Sequence, residues 1–140
     1  MASRVPTGGR VLVVDDDRAI RDMLCLILTR AGISCSVVDD GQAAIEHLVD
    51  HPYELLILDL MLPRFTGYNV LQFLRDYPAV RTPRVFVLTA NSEEFKRRMQ
   101  GARIDALIQK PFDPQTLLSQ IQAVLALDKK NDTSHPSGSD

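Results

Sequence analysis

Three runs of four apolar residues, "VLVV" at 11–14, "LLIL" at 55–58 and "VFVL" at 85–88, each break off at a polar residue: Asp15, Asp59 and Thr89. Such runs are too short for a helix and lack the polar alternation of a strand with one wet face. They read as strands covered on both sides, which calls for a parallel sheet with helices on each face. The intervening segments supply those helices. Ile20, Met23, Leu24, Ile27 and Leu28 recur at helical spacing and stop before Gly32. Asp40 is placed to cap a helix carrying Ala44, Ile45 and Leu48 that ends before Pro52. A loop marked by Pro63 and Gly67 leads to a helix with Val70, Leu71 and Leu74. A polar helix is expected from Ser92 to Gln100, stopping at Gly101. Asp113 as cap and Pro114 at the first helical position open the last helix, with Leu117, Leu118, Ile121, Val124 and Leu125 as its apolar face.

With "CSVV" at 35–38 as second strand and a fifth within "IDALI" at 104–108, five strands alternate with five helices. The expected fold is α/β: a (βα)5 doubly wound, parallel five-stranded sheet in the order 2-1-3-4-5, a flavodoxin-like three-layer sandwich with right-handed crossovers. Residues 1–9 are expected to be a flexible segment, 10–127 the domain and 128–140 a flexible polar tail, because Ser, Gly, Pro and charges leave little to bury there. That tail after Leu127 suggests a whole small protein.

A chain of 140 residues can bury one sizeable core, and a net charge of -2 gives no basic surplus for nucleic acid, so no direct nucleic-acid contact is expected. The strongest basic run, Lys96-Arg97-Arg98, reads as a solvated helix face. No window approaches 18 apolar residues, and "MASRVPTGGR" lacks the apolar core of a signal peptide, so no membrane association is expected. Cys25 and Cys35 have neither metal nor redox spacing; they read as small buried thiols, and the location as cytoplasmic. His47, His51 and His135 do not make a ligand set.

In an open parallel sheet, ligands gather beyond the carboxyl ends of the strands, near the point where strand order reverses. Asp15 and Asp16 follow the first strand, Asp59 the third, Thr89 the fourth and Lys110 the fifth, so all share one rim. Converging carboxylates repel and raise one another's pKa unless a positive charge sits among them. Magnesium, with its demand for oxygen ligands, resolves this, and Lys110 adds a second positive point. Thr89 contributes a hydroxyl donor. Together they form a pocket for a phosphoryl group, with Asp59 as the nucleophile that becomes an aspartyl phosphate and water as the group that later releases it. Asp15 and Asp16 have a blander reading as helix caps, but only one residue is needed for that, and Asp17 is the better placed.

From about residue 10 to 127 the chain resembles a response-regulator receiver domain of two-component signalling, of the single-domain, chemotaxis-regulator-like kind. Asp15-Asp16 resembles the family's metal-holding pair and "DLMLP" at 59–63 its phosphoacceptor segment. The resemblance implies that Asp15, Asp16, Asp59 and the Met61 backbone carbonyl hold Mg2+, with Mn2+ as a possible substitute, and that Pro63 shapes the following turn. Gly67 stands where the family commonly has glycine, "VLTA" at 87–90 carries the switch Thr89, and "QKPF" at 109–112 carries Lys110 followed by Pro111, whose bond is usually cis in this family. Met61 and Asn91 occupy positions that flank the path of the hydrolytic water; methionine cannot orient water while asparagine can, which implies slow to moderate loss of phosphate.

Two features depart from the family pattern. Leu107 stands where an aromatic is usual, so no ring there can report activation. The Gly101-Ala102 pair lies nine and eight residues before Lys110 rather than seven and six, which implies a fourth helix about a turn shorter and a longer loop after it. From Pro114 to Leu127 there is no charged residue, so salt-bridged dimerisation on that face is doubtful and a monomer or weak dimer is expected. The expected function is a phosphoacceptor that takes its phosphoryl group from a histidine kinase or histidine phosphotransfer protein and alters a surface for a downstream protein target, by self-catalysed phosphorylation and dephosphorylation rather than as a turnover enzyme. The alternatives are a degenerate receiver that binds proteins without phosphorylation and a phosphate sink that drains a kinase. A hydrolase proper would need a substrate cap, for which no segment is long enough.

Overall fold

The computed structural model describes residues 10–77 and 83–138, with side chains as far as 127. The expected segment 1–9 lies outside the described residues. Five strands, β1 (Arg10–Val14), β2 (Ser34–Val38), β3 (Leu55–Asp59), β4 (Arg84–Thr89) and β5 (Ala106–Gln109), alternate with five helices, α1 (Arg18–Arg30), α2 (Gly41–Asp50), α3 (Gly67–Asp76), α4 (Ser92–Arg98) and α5 (Pro114–Gly138). All strand pairs are parallel, in the order β2-β1-β3-β4-β5.

The two-residue period of a strand divides the core into two layers. Leu12, Val14, Leu56, Leu58, Val85 and Val87 point to one face and pack under α2, α3 and Phe95 of α4. Val11, Val13, Leu55, Ile57, Phe86 and Leu88 point to the other and meet Leu24 and Leu28 of α1 and Leu117, Ile121 and Leu125 of α5. This accounts for the unbroken apolar runs: β1 and β3 have no wet face, so a polar residue anywhere within 11–14 or 55–58 would lose its solvation without compensation.

Each helix starts with a side-chain cap immediately beyond a strand or its loop. Asp17 accepts the Ala19 N–H at 2.9 Å, Asp40 the Ala43 N–H at 2.8 Å, Asn91 the Glu94 N–H at 3.0 Å and Asp113 the Thr116 N–H at 2.9 Å. Thr66 and Asn69 form a reciprocal capping box at the head of α3. Such caps satisfy amide donors that the first helical turn leaves unpaired, at about 1 kcal/mol each. They also place the start of every helix on the same side of the sheet as the strand ends.

Several boundaries differ from the sequence expectation. The fifth strand begins at Ala106, inside the expected 104–108, and runs one residue past it to Gln109; Asp105 turns back to the start of β4, its carboxylate accepting the Val85 N–H at 2.7 Å and meeting Arg84 at 3.3 Å. Helix α4 closes at Arg98 with Met99 as cap, two residues before Gln100, and Gly101 takes φ +81° in the turn that follows. The helical backbone of α5 runs to Gly138, past the expected end at 127. Leu125 is its last core residue among those described, and once a helix is nucleated by packing, further turns form at little cost. Cys25 and Cys35 are half-buried rather than buried, since β2 is an edge strand with Val37 exposed. Burial, reinforced by the neighbouring Cys25 thiol, pushes the Cys35 thiol up to about 12. The basic run on α4 is not wholly solvated either: the Arg98 guanidinium lies 3.7 Å from the centre of the Tyr68 ring on α3.

The loop from β3 to α3 is held close to the strand ends by Gly67, whose N–H donates to the Leu60 carbonyl at 3.1 Å. A Cβ at this position would sit 2.5 Å from the Asp59 carbonyl oxygen and 2.7 Å from the Leu60 Cα, both backbone atoms that cannot move aside cheaply. Gly67→Ala is therefore expected to lower unfolding stability by about 2 kcal/mol through overpacking, read from the shift of the denaturant midpoint.

Candidate functional site

The register of the sheet decides which rim residues meet. Val14 pairs with Leu58, so Asp15 and Asp59, one step further along, lie side by side. Thr89 pairs with Gln109, which puts Lys110 just beyond the same edge. Asp15, Asp59 and Thr89 are the buried polar side chains among the described residues, with Asp15 fully enclosed. Among the described residues the buried polar side chains are thus concentrated at the ends of β1, β3 and β4.

Lys110 Nζ lies 3.1 Å from Asp15 Oδ2 and 3.3 Å from Asp59 Oδ2, a single ammonium shared by two buried carboxylates. Backbone donors take the other oxygens: Asp17 N–H bonds Asp15 Oδ1 at 2.9 Å and Met61 N–H bonds Asp59 Oδ1 at 3.1 Å. Asp16 is exposed at the mouth, and one oxygen from each of Asp15, Asp16 and Asp59 falls within 4.8 Å of the others. Burial raises the Asp59 carboxyl to about 6, with the Asp15 charge adding to the rise and the Met61 N–H and Lys110 opposing it. Burial on its own would lower Lys110, but its hydrogen bond to Asp15 and the charge of Asp59 outweigh that and hold it above the ordinary lysine value.

Three carboxylates against one ammonium leave surplus negative charge in a cleft built of oxygen donors. This cluster could hold a metal, and its donors suit a hard divalent cation. Thr89 completes the ring: its hydroxyl oxygen accepts the Asn91 N–H at 3.0 Å, which leaves the O–H proton available to donate.

The remaining sequence candidates fall around this cleft. Met61 is 69% exposed beside Asp59. Asn91 uses its side-chain oxygen to cap α4, so only its NH2 group is available to a water. Pro63 lies in the exposed loop after β3, next to Arg64, which adopts φ +59° and pairs with Asp40 at 3.2 Å. The Lys110–Pro111 peptide bond is cis. Leu107 is half-buried opposite Val87 and packs into the core layer beneath α4 with Met99, Ala102 and Ile104. Of the histidines, His47 and His51 pack with Tyr53, His47 Nδ1 lying 3.0 Å from its hydroxyl, and His135 lies outside the described side chains.

Two contributors escape sequence reasoning. Arg21, in the first turn of α1, reaches back past the helix start to donate to the Asp15 carbonyl at 2.8 Å, and nothing in the spacing signals it. Gln109 spans from β5 to the loop after β4, donating to the Ala90 carbonyl at 2.7 Å. Its place directly before Lys110 was the available hint.

A parallel sheet in this order, carrying two acids at the first strand end, a third at the central strand and a lysine at the fifth, defines a receiver class of signalling domain. The chain belongs to the response regulator receiver domain family, whose model matches residues 11–122. It is similar to the phosphate regulon transcriptional regulatory protein PhoB of Pseudomonas aeruginosa, with 36% identity over 132 residues covering 92% of this chain and 57% of that protein. Among solved structures it resembles a CheY-like response regulator receiver domain protein from Methanospirillum hungatei (27% identity, TM-score 0.78, 88% of this chain and 98% of that one). It also resembles the chemotaxis protein CheY4 of Vibrio cholerae (29% identity, TM-score 0.74, 83% and 98%). The chain spans about half the length of the curated relatives it matches. Among the described residues no helix is long and apolar enough to cross a membrane.

The raised Asp59 pKa has a measurable consequence. The folded carboxyl binds its proton more tightly than the unfolded chain does, so its contribution to stability is complete below the ordinary value of 3.8 and is lost as pH rises through about 6. In chelator, Asp59→Asn should therefore melt a few degrees above wild type at pH 7.5, with the gap closing below pH 4; thermal unfolding across that range checks it.

Proposed function

We propose that the cleft transfers a phosphoryl group from the phosphohistidine of a histidine kinase or histidine phosphotransfer protein to Asp59. The observation that carries this is the Lys110 ammonium held within 3.3 Å of both Asp15 and Asp59 at the rim of the sheet. An Asp59 oxygen attacks phosphorus, a new P–O bond forms, and the P–N bond to the donor histidine breaks, with the histidine nitrogen leaving to take up a proton. Asp15, Asp16, Asp59 and the Met61 carbonyl would hold Mg2+, or Mn2+ in its place. The ion supplies charge neutralisation for the transferring oxygens. Lys110 faces the same oxygens from the opposite side, and the Thr89 hydroxyl donates to one of them once the bond has formed. Pro63, Gly67 and Pro111 shape the loops that carry these groups. Water attack on phosphorus later restores Asp59.

Filling the cleft shifts the surface around β4, α4 and β5, which docks a downstream protein target. With a short α4 and no ring at 107, the change is carried by the backbone of the β4–α4 loop rather than by a swinging aromatic. The domain spans 10–127 and works in the cytoplasm as a monomer or weak dimer, through protein contacts rather than direct binding of nucleic acid.

Incubation with acetyl phosphate and Mg2+ should add one phosphoryl mass to wild type and none to Asp59→Asn. A wild-type chain that stays unmodified, with Asp59 intact, overturns the proposal. Lys110→Ala should slow uptake on the order of a hundredfold, the usual loss when a group that stabilises transition-state charge is removed. The isolated phosphoprotein should outlast a few seconds, since Met61 cannot orient water; the decay of the phosphoryl mass after gel filtration measures this.

A further inference from the structure

The segment between β4 and α4 is fastened to β5 by one side chain. Gln109 Nε2 donates to the Ala90 carbonyl at 2.7 Å and to the Lys110 carbonyl at 3.2 Å, while its Oε1 accepts the Ser92 N–H at 3.3 Å. The Lys110 N–H adds a bond to the Thr89 carbonyl at 2.8 Å. Residues 89–92 are thereby pinned at two carbonyls and one amide. Within this clamped segment the Thr89 hydroxyl oxygen accepts from Asn91 N–H, and its hydrogen-bond partner is that amide rather than Asp59.

A phosphoryl group on Asp59 places new anionic oxygens in the cleft. A bond from the Thr89 hydroxyl to one of them draws on the 89–92 segment, and the carboxamide of Gln109 spans the boundary between that segment and β5. We propose that Gln109 is a positioning residue that latches the β4–α4 loop to β5 in the unphosphorylated state and so limits how fast Asp59 is filled. The proposal rests on the phosphoacceptor reading of Asp59. A carboxamide suits the task because one planar group donates to one side of the loop and accepts from the other. It is exposed, so its bonds compete with water and can exchange without leaving a buried group unpaired.

Gln109→Met keeps the length and bulk of the side chain and removes its hydrogen bonds. Gln109→Glu keeps the acceptor for Ser92 N–H and loses the donor to Ala90. Both variants should take up phosphoryl from acetyl phosphate and Mg2+ about three- to fivefold faster than wild type, the effect of one modest hydrogen bond. Their Mg2+ affinity by calorimetry should be unchanged, and the Asn91 and Ser92 amide resonances should move. Uptake that is unchanged or slower in a folded Gln109→Met with normal Mg2+ affinity overturns the latch; if that variant does not fold, Gln109→Glu is read by the same criterion. A wild type that takes no phosphoryl overturns the phosphoacceptor reading itself, whereas wild-type uptake with no acceleration in the variants overturns the latch alone.

Discussion

Two carboxylates buried around one ammonium are the constraint on which the molecule turns. Asp15 and Asp59 sit where water is excluded, and each would be costly as an isolated ion. Lys110, 95 residues from Asp15 in sequence, answers both. Burial, with the Asp15 charge adding to it, keeps the Asp59 carboxyl raised to about 6, and Asp16 stands exposed at the mouth. The surplus negative charge makes the cleft one that could hold a cation, and the all-apolar strands beneath it hold the like charges together.

Around this cleft the fold is closely packed on one side and joined by exposed polar bonds on the other. Gly41 and Gly67 let the loop after β3 press against the start of α2 and the end of β3, with Gly41 N–H bonded to the Phe65 carbonyl at 3.2 Å and Arg64 paired to Asp40. On the side of β4 the connections are polar and exposed: Gln109 to Ala90 and Ser92, and Asn91 to Glu94. Helix α4 is short, and Arg98 rests on Tyr68 while Phe95 stacks against the same ring at 6.2 Å between centroids. Leu107 is absorbed into the core layer below them.

Much of this was legible in order. The runs at 11–14, 55–58 and 85–88 announce buried strands because a strand covered on both faces cannot carry polar residues, and Asp17, Asp40 and Asp113 announce helix starts because their short carboxylates reach the first free amides. The fifth strand was placed only somewhere within 104–108, because Asp105 lies in an otherwise strand-like stretch and its bond to Val85 N–H depends on a neighbour twenty residues away. The thiols were read as buried although the expected order already made β2 an outer strand, because apolar periodicity does not tell how completely an edge strand or a helix flank is covered. Arg21 and Gln109 were missed for a similar reason: long polar side chains on a surface look alike until their partners are in place.

The sequence by itself determined the alternation of strands and helices, the placement of every acid, hydroxyl and amine of the site at a strand end, and the family those residues mark, since each depends on local hydrophobic period and on residue types at short spacing. Only the tertiary structure decided that Lys110 bridges Asp15 and Asp59, that Asn91 commits its oxygen to a helix cap, and that Gln109 ties the β4–α4 loop to β5. Those facts follow from strand register and from the exclusion of water between side chains distant in the chain, which no local pattern encodes.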